Sequence, residues 1–107
     1  MKKITLLLIS FFAFNQINAQ YSKEFQKQYV EELSSDAMKG RKFGTPENRL
    51  AAELIAQKFK LNNLKPCVGD SYLIEFEHKG QKGQNVCGIK EGKSTDIYAF
   101  GAHFDHI

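Results

Sequence analysis

Apolar and polar residues follow a helical period early in this chain and a strand period later. After an apolar N-terminal run, the first helical stretch places four large side chains on one face: Phe25, Tyr29, Val30 and Leu33. Spacings of three and four residues bring such side chains to one side of an α-helix. Ser22 precedes this stretch and is expected to cap its N-terminus, while residues 34–36 interrupt the pattern.

The second predicted helix has the clearest start in the chain. Thr45 offers a side-chain oxygen as N-cap, and Pro46 takes the first helical position, where its missing N–H costs no hydrogen bond. The core-facing stripe of this helix comprises Leu50, Ala51, Leu54, Ile55 and Phe59. Arg49 and Glu53 stand four residues apart and are expected to pair toward solvent. The asparagines at residues 62–63 are expected to end the helix.

Three strands are predicted in the second half of the chain. Residues 72–77 alternate apolar and polar positions, which is typical of a half-buried strand. Residues 84–90 give a shorter and weaker pattern, and the turn between these two strands is expected at residues 80–83. Residues 97–100 are uniformly apolar, as in an interior strand. The short link over residues 91–96 favours antiparallel pairing of the second and third strands.

The order helix, helix, strand, strand, strand predicts an α/β fold. A continuously apolar strand needs cover on both faces, and only the second helix is a strong candidate to provide it. We therefore expect residues 97–100 to lie in the middle of a larger sheet, so that the chain holds a partial mixed β-sheet with flanking helices.

The N-terminus predicts a cleavable secretory signal peptide over residues 1–19. Lys2 and Lys3 precede an apolar run over residues 4–14, and Ala19 is a small residue suited to the cleavage point. The alternative, a membrane anchor, needs about 20 apolar residues and the run is too short. We expect a secreted or periplasmic protein with no membrane span after cleavage.

Charge and cysteine content narrow the possible partners and cofactors. The formal charge of +3 includes the two lysines of the signal peptide, so there is no basic excess to indicate nucleic-acid binding. Export permits a disulfide between Cys67 and Cys87, the only cysteines, but two separate buried thiols are equally compatible with the sequence. No Cys-x-x-Cys spacing indicates a zinc site built on them.

Candidate chemistry lies directly after the last predicted strand, at His103 and Asp105. Residues two apart on a strand share one side, so both side chains can point into one cleft. An imidazole can bind Zn²⁺ through one nitrogen while a carboxylate orients its other N–H. Taken alone, the pair fits a structural role better. His106 faces the opposite way or caps a following element, and His78 is expected to be exposed among charges.

The loop over residues 40–45 has two interpretations. It can border a substrate cleft, or its glycines can serve turns while Arg41 makes a structural ion pair or a capping contact. The second interpretation is favoured, and no phosphate-binding glycine spacing is present.

Several segments together resemble the start of the secreted zinc aminopeptidases of metallopeptidase family 28. In chain order they are Gly40-Arg41, Gly44-Thr45, Asn48, Ala51-Ala52-Glu53, Gln84-Asn85-Val86 and Gly101-Ala102-His103-Phe104-Asp105-His106. The last resembles the first metal-binding motif of that family. The resemblance covers roughly residues 33–107, and the family is in turn similar to the glutaminyl cyclases.

The resemblance implies an α/β/α sandwich of zinc-exopeptidase type, a pair of zinc ions and a peptide substrate. It assigns His103 as a zinc ligand and Asp105 as the carboxylate that orients it. The other metal ligands and the general-base glutamate of the family lie further along, which makes residues 20–107 the incomplete N-terminal part of a peptidase domain, inactive alone. Two alternatives remain open: a small secreted non-catalytic binding module, and a glutaminyl cyclase of the same fold.

Overall fold

The computed structural model describes residues 23–106. The predicted signal peptide and the expected cap at Ser22 lie outside this range. Two α-helices, a 3-10 helix and four short strands follow one another: α1 (Lys23–Leu33), the 3-10 helix (Asp36–Arg41), α2 (Pro46–Leu61), β1 (Lys65–Pro66), β2 (Leu73–His78), β3 (Gln81–Val86) and β4 (Gly88–Ile89).

Helix α2 forms as the sequence predicts, except that Leu50, expected in its core-facing stripe, is 48% exposed. The Thr45 hydroxyl accepts a hydrogen bond from the backbone N–H of Asn48 at 3.3 Å, and Pro46 is the first helical residue. Arg49 and Glu53 form the expected pair at 3.0 Å. Asn62 caps the C-terminus, and its side-chain amide donates to the Lys58 carbonyl at 2.8 Å.

Helix α1 has no fully buried residue among those predicted to face the core. Tyr29 and Leu33 are half-buried, whereas Val30 is 66% exposed. An apolar groove of about 340 Å³ separates α1 from the stripe of α2. The Lys58 ammonium lies over the Tyr29 ring, 4.7 Å from its centroid, and bridges the two helices at the edge of this groove.

Strands β2 and β3 form an antiparallel hairpin whose register runs from Leu73 opposite Val86 to His78 opposite Gln81. The turn is Lys79-Gly80, with φ of 51° and 76°. Two consecutive positive φ values give a turn whose twist matches that of paired strands. The prediction of a turn over residues 80–83 is therefore wrong, because a lysine rather than an asparagine takes the first turn position and hides the turn in the sequence.

A second antiparallel sheet pairs β1 with β4, with Lys65 opposite Ile89. A disulfide joins Cys67 to Cys87 beside it, with the two Cα atoms 5.5 Å apart. The single strand predicted over residues 84–90 is thus divided at Cys87 between two sheets. Of the two alternatives for the cysteines, the structure contains the disulfide.

Residues 97–100 do not form the predicted interior strand, nor the predicted antiparallel pair with the strand before them. They have no strand partner among residues 23–106, and Ile97, Tyr98 and Phe100 are 92%, 81% and 97% exposed. A strand exists only through hydrogen bonds to a neighbouring strand, so an apolar sequence alone does not make one.

The core lies where the N-terminal half of α2 packs against the 3-10 helix and β3. Its buried residues are Met38, Asn48, Ala51, Ala52, Gly83 and Gln84. Small residues on α2 let β3 approach closely, and two of the six are polar. The fold is α/β in class, with helices and small antiparallel sheets in place of the partial mixed sheet that the sequence predicts.

Candidate functional site

His103 and Asp105 lie in a segment without helix or strand, residues 101–106, and contact each other. The imidazole Nδ1 is 3.1 Å from the Asp105 carboxylate, and the His103 side chain is 95% exposed. A carboxylate at Nδ1 favours the tautomer that carries its hydrogen there. Nε2, which makes no hydrogen bond to residues 23–106, then presents a lone pair to solvent.

The segment forms one wall of a cleft of about 450 Å³. The opposite wall includes Phe43 and Phe76, whose stacked rings have centroids 5.7 Å apart, together with Asn48 and Gln84 from the core. The cleft therefore combines an aromatic wall with an imidazole and a carboxylate. Phe43 comes from the loop over residues 40–45, so that loop does border the cleft.

Arg41 makes the capping contact that the favoured interpretation of this loop predicts. Its Nη1 donates to the Leu33 carbonyl at the C-terminus of α1, and its Nε donates to the Phe104 carbonyl at 2.7 Å. Its own carbonyl accepts from the Asn48 side-chain amide at 3.1 Å and from the His106 backbone N–H at 3.4 Å. Arg41 thus connects α1, α2 and the segment that carries His103.

Asn48 and Gln84 form the buried polar pair beneath this connection. The Gln84 amide donates to Asn48 Oδ1 at 3.0 Å. Gln84 is 7% exposed and Asn48 is 2% exposed. The sequence shows both as positions of the family resemblance but does not reveal this bond. The available signal was the place of Asn48 on the buried face of α2, three and four residues before Ala51 and Ala52, since a buried amide requires a partner.

Charged side chains near the N-terminus of α2 pair with one another outside the cleft. Lys39 donates to Glu47 at 2.9 Å and, with the backbone N–H of Glu47, lowers the pKa of that carboxyl. The pKa of Arg49 is raised by two hydrogen bonds to carboxylates. The larger effect comes from Glu75, whose carboxylate oxygen lies 3.0 Å from Arg49 Nη1, and the smaller from Glu53. Glu75 therefore forms an ion pair that joins the hairpin to Arg49 of α2.

The residues of the described part do not fit a catalytic zinc ion by themselves. Among residues 23–106, no group of three or more histidines, cysteines, aspartates or glutamates is placed to hold a metal ion. A catalytic zinc site uses about three protein ligands, and His103 with Asp105 offers one imidazole and its orienting carboxylate. Cys67 and Cys87 are joined as a disulfide, and His78 is exposed, as predicted.

Fold and site together define an α/β chain with a disulfide and with a His–Asp pair at the rim of a cleft. No helix within residues 23–106 is long and apolar enough to cross a membrane. Comparison of the chain with known protein families, characterised proteins and solved structures finds no match.

Proposed function

We propose that this chain is the N-terminal part of an exported zinc-dependent aminopeptidase of metallopeptidase family 28, a hydrolase that releases N-terminal residues from peptides. In this proposal His103 is a zinc ligand, Asp105 orients its ring, and the fold completes to the α/β/α sandwich of that family. The disulfide between Cys67 and Cys87 is compatible with export.

One observation carries the proposal. Four residues quoted for the family resemblance, at positions 41, 45, 48 and 84, form a single hydrogen-bonded group. This group reaches the backbone of the His-x-Asp segment through a bond that spans 63 residues, from Arg41 to Phe104. Matching positions scattered along the sequence thus meet at one place, beside the candidate metal ligand.

The chain's own residues account for one ligand only. His103 presents Nε2, and Asp105 holds the hydrogen at Nδ1, which fixes the ring orientation and increases its basicity as a ligand. The further ligands and the general base are to come from outside residues 23–106. We therefore expect residues 20–107 alone to release no amine from aminoacyl-anilide substrates in the presence of zinc, and zinc-dependent turnover would contradict this inactivity.

The coding DNA beyond Ile107 tests the proposal at least cost. We expect an open frame that encodes a bridging aspartate, a pair of adjacent glutamates and a later histidine. A stop codon directly after Ile107 would overturn the proposal and favour a small secreted binding module without catalysis.

Activity tests the role of His103. The product of the whole reading frame is expected to hydrolyse aminoacyl-anilides with zinc, to lose this activity in His103→Ala, and to keep it in the matched control His78→Ala, whose ring is exposed on the hairpin. Cyclisation of N-terminal glutamine in place of hydrolysis would identify the glutaminyl cyclase alternative. Full activity in His103→Ala would remove His103 from the site.

A further inference from the structure

The segment over residues 101–106 has little to hold it in place. It contains no helix or strand, and five of its six residues are exposed. Within residues 23–106, the hydrogen bonds that join it to the rest of the protein both involve Arg41: the bond from Nε to the Phe104 carbonyl, and the bond from the His106 N–H to the Arg41 carbonyl. The two bonded positions, Phe104 and His106, flank Asp105, and Phe104 directly follows His103.

Arg41 is itself held in an uncommon conformation. Its φ is 55°, and the two preceding residues, Lys39 and Gly40, have φ of 42° and 75°. A left-handed backbone is unfavourable at a residue with a side chain and persists where surrounding contacts fix it. The Asn48 amide supplies such a contact at the Arg41 carbonyl, and Gln84 in turn holds Asn48.

The guanidinium joins two carbonyls that belong to distant parts of the chain. Nη1 donates to the carbonyl of Leu33 at the end of α1, while Nε donates to the carbonyl of Phe104. The planar fork of arginine offers separate donors in fixed directions, whereas the single ammonium of lysine cannot reach both acceptors with the same geometry. Neither acceptor is a carboxylate, so the role depends on donor geometry more than on charge.

We propose that Arg41 is a positioning residue that fixes the backbone of residues 101–106 so that the His103 ring and the Asp105 carboxylate meet at the rim of the cleft. The buried Asn48–Gln84 pair supports it from below by holding the Arg41 carbonyl. The zinc-binding consequence of this placement rests on the proposed function, whereas the ordering of the segment does not.

The test compares Arg41→Lys and Arg41→Ala with the matched control Arg49→Lys in the exported, disulfide-bonded protein. Arg49 is also bonded to two partners, Glu53 and Glu75, but makes no contact with the segment. Heteronuclear NMR reports the backbone order of residues 101–106, and the ¹⁵N shifts of the His103 ring report its tautomer. A role limited to general stability would lower the melting temperature without changing these two local signals below the melt.

We expect both Arg41 variants to lose order in the segment and the Nδ1–H preference of His103, and Arg49→Lys to keep both. If Arg41→Ala does not fold, Arg41→Lys, which keeps the charge and most of the side-chain stem, decides the question. Unchanged order and tautomer in Arg41→Lys would overturn the proposal.

Titration with Zn²⁺ alone separates this proposal from the proposed function. Where zinc perturbs the His103 ring signals of the parent protein, we expect about tenfold weaker binding in Arg41→Lys, the size typical of losing an outer partner of a metal ligand. Equal affinity in Arg41→Lys and the parent would contradict positioning. Absence of any zinc effect on His103 in the product of the whole reading frame, which is to supply the other ligands, would instead count against the proposed function, and the order and tautomer measurements would still decide the role of Arg41.

Discussion

Asn48 links three parts of the molecule through one side chain. Its Oδ1 accepts from Gln84 on β3, its Nδ2 donates to the Arg41 carbonyl, and its backbone N–H is capped by Thr45. Because Asn48 is only 2% exposed, water cannot replace these hydrogen-bond partners. Burying an amide is favourable only when its hydrogen bonds are made, so the residue fixes how β3 sits against α2.

Asn48→Ala is expected to lower the free energy of unfolding by about 2 kcal/mol, because it leaves the buried Gln84 amide without its partner and removes the hydrogen bond from Asn48 to the Arg41 carbonyl. Urea unfolding of the oxidised protein measures the change. Asn85→Ala is the control, since Asn85 is exposed on the same strand as Gln84 and its side chain makes no hydrogen bond within the described residues. Equal losses for the two variants would contradict the role assigned to Asn48.

Glu47 gives the protein a pH-dependent contribution to stability. Its hydrogen bond from Lys39 lowers its folded-state pKa below the usual value near 4.5, so the contribution is full above that value and is lost as the pH falls through the folded-state pKa. Glu47→Gln is expected to be less stable than the parent protein at pH 7 and to converge with it in acid. Chemical unfolding at a series of pH values measures this.

Lys39→Met supplies the control for that series. Without the ammonium, the Glu47→Gln substitution should have a smaller effect at pH 7 and a weaker dependence on pH. A stability difference that stays constant from pH 7 into acid would show that Glu47 acts through something other than its charge.

At the scale of elements, the β2–β3 hairpin packs against the loop before α2 at a glycine, Gly83, which lies against the Phe43 ring. A Cβ at Gly83 would overlap Cε2 of Phe43, the ring that stacks on Phe76 in the aromatic wall of the cleft. The absence of a side chain on β3 therefore creates the space in which this ring lies. The hairpin and the wall of the cleft are thus one packing unit.

Gly83→Ala is expected to displace the Phe43 ring and to cost about 1–3 kcal/mol in unfolding free energy, the usual range for overpacking. The same substitution at Gly92, where a Cβ meets no atom within 4 Å, is the control. Ring-current shifts of Phe76 report the loss of the stack. Unchanged shifts together with unchanged stability in Gly83→Ala would contradict this packing.

The disulfide closes the part of the chain that contains the hairpin, with Cys67 and Cys87 separated by 20 positions. Its reduction is expected to lower the free energy of unfolding by about 3 kcal/mol, because the unfolded chain gains conformational freedom. Thermal melts with and without reductant measure this. A protein with both cysteines replaced by serine should not respond to reductant, and equal melting of the oxidised and reduced parent forms would contradict the estimate.

Local sequence signals predict both α-helices and the strand over residues 72–77, which forms as β2 (Leu73–His78), but they mislead about the later strands. Thr45 and Pro46 define the start of α2 because capping depends on a few adjacent residues. The hairpin turn lies at residues 79–80 and not at the predicted residues 80–83, because the sequence does not signal the positive φ of Lys79. Residues 97–100 are apolar, but a strand depends on a partner that periodicity cannot supply. The His103–Asp105 contact follows from their spacing, whereas its support by Arg41 does not.

At the scale of the whole molecule, the core is small and an apolar segment is exposed beside the candidate site. Buried residues cluster around α2 and β3, while Ile97, Tyr98 and Phe100 face solvent next to the segment that carries His103. Under the proposed function, strands from outside residues 23–106 cover this apolar run and bring the remaining zinc ligands to Nε2 of His103. Under that proposal, the described fold supplies one zinc ligand at the edge of a site that residues from outside this range complete.

Anomalous diffraction at the zinc absorption edge tests the central claim most directly, with crystals of the zinc-loaded product of the whole reading frame. We expect a zinc ion about 2.0–2.1 Å from Nε2 of His103, with the Asp105 carboxylate hydrogen-bonded to Nδ1. A His103 ring that is free of metal and bonded only to backbone groups, in a protein that holds zinc elsewhere or not at all, would contradict it.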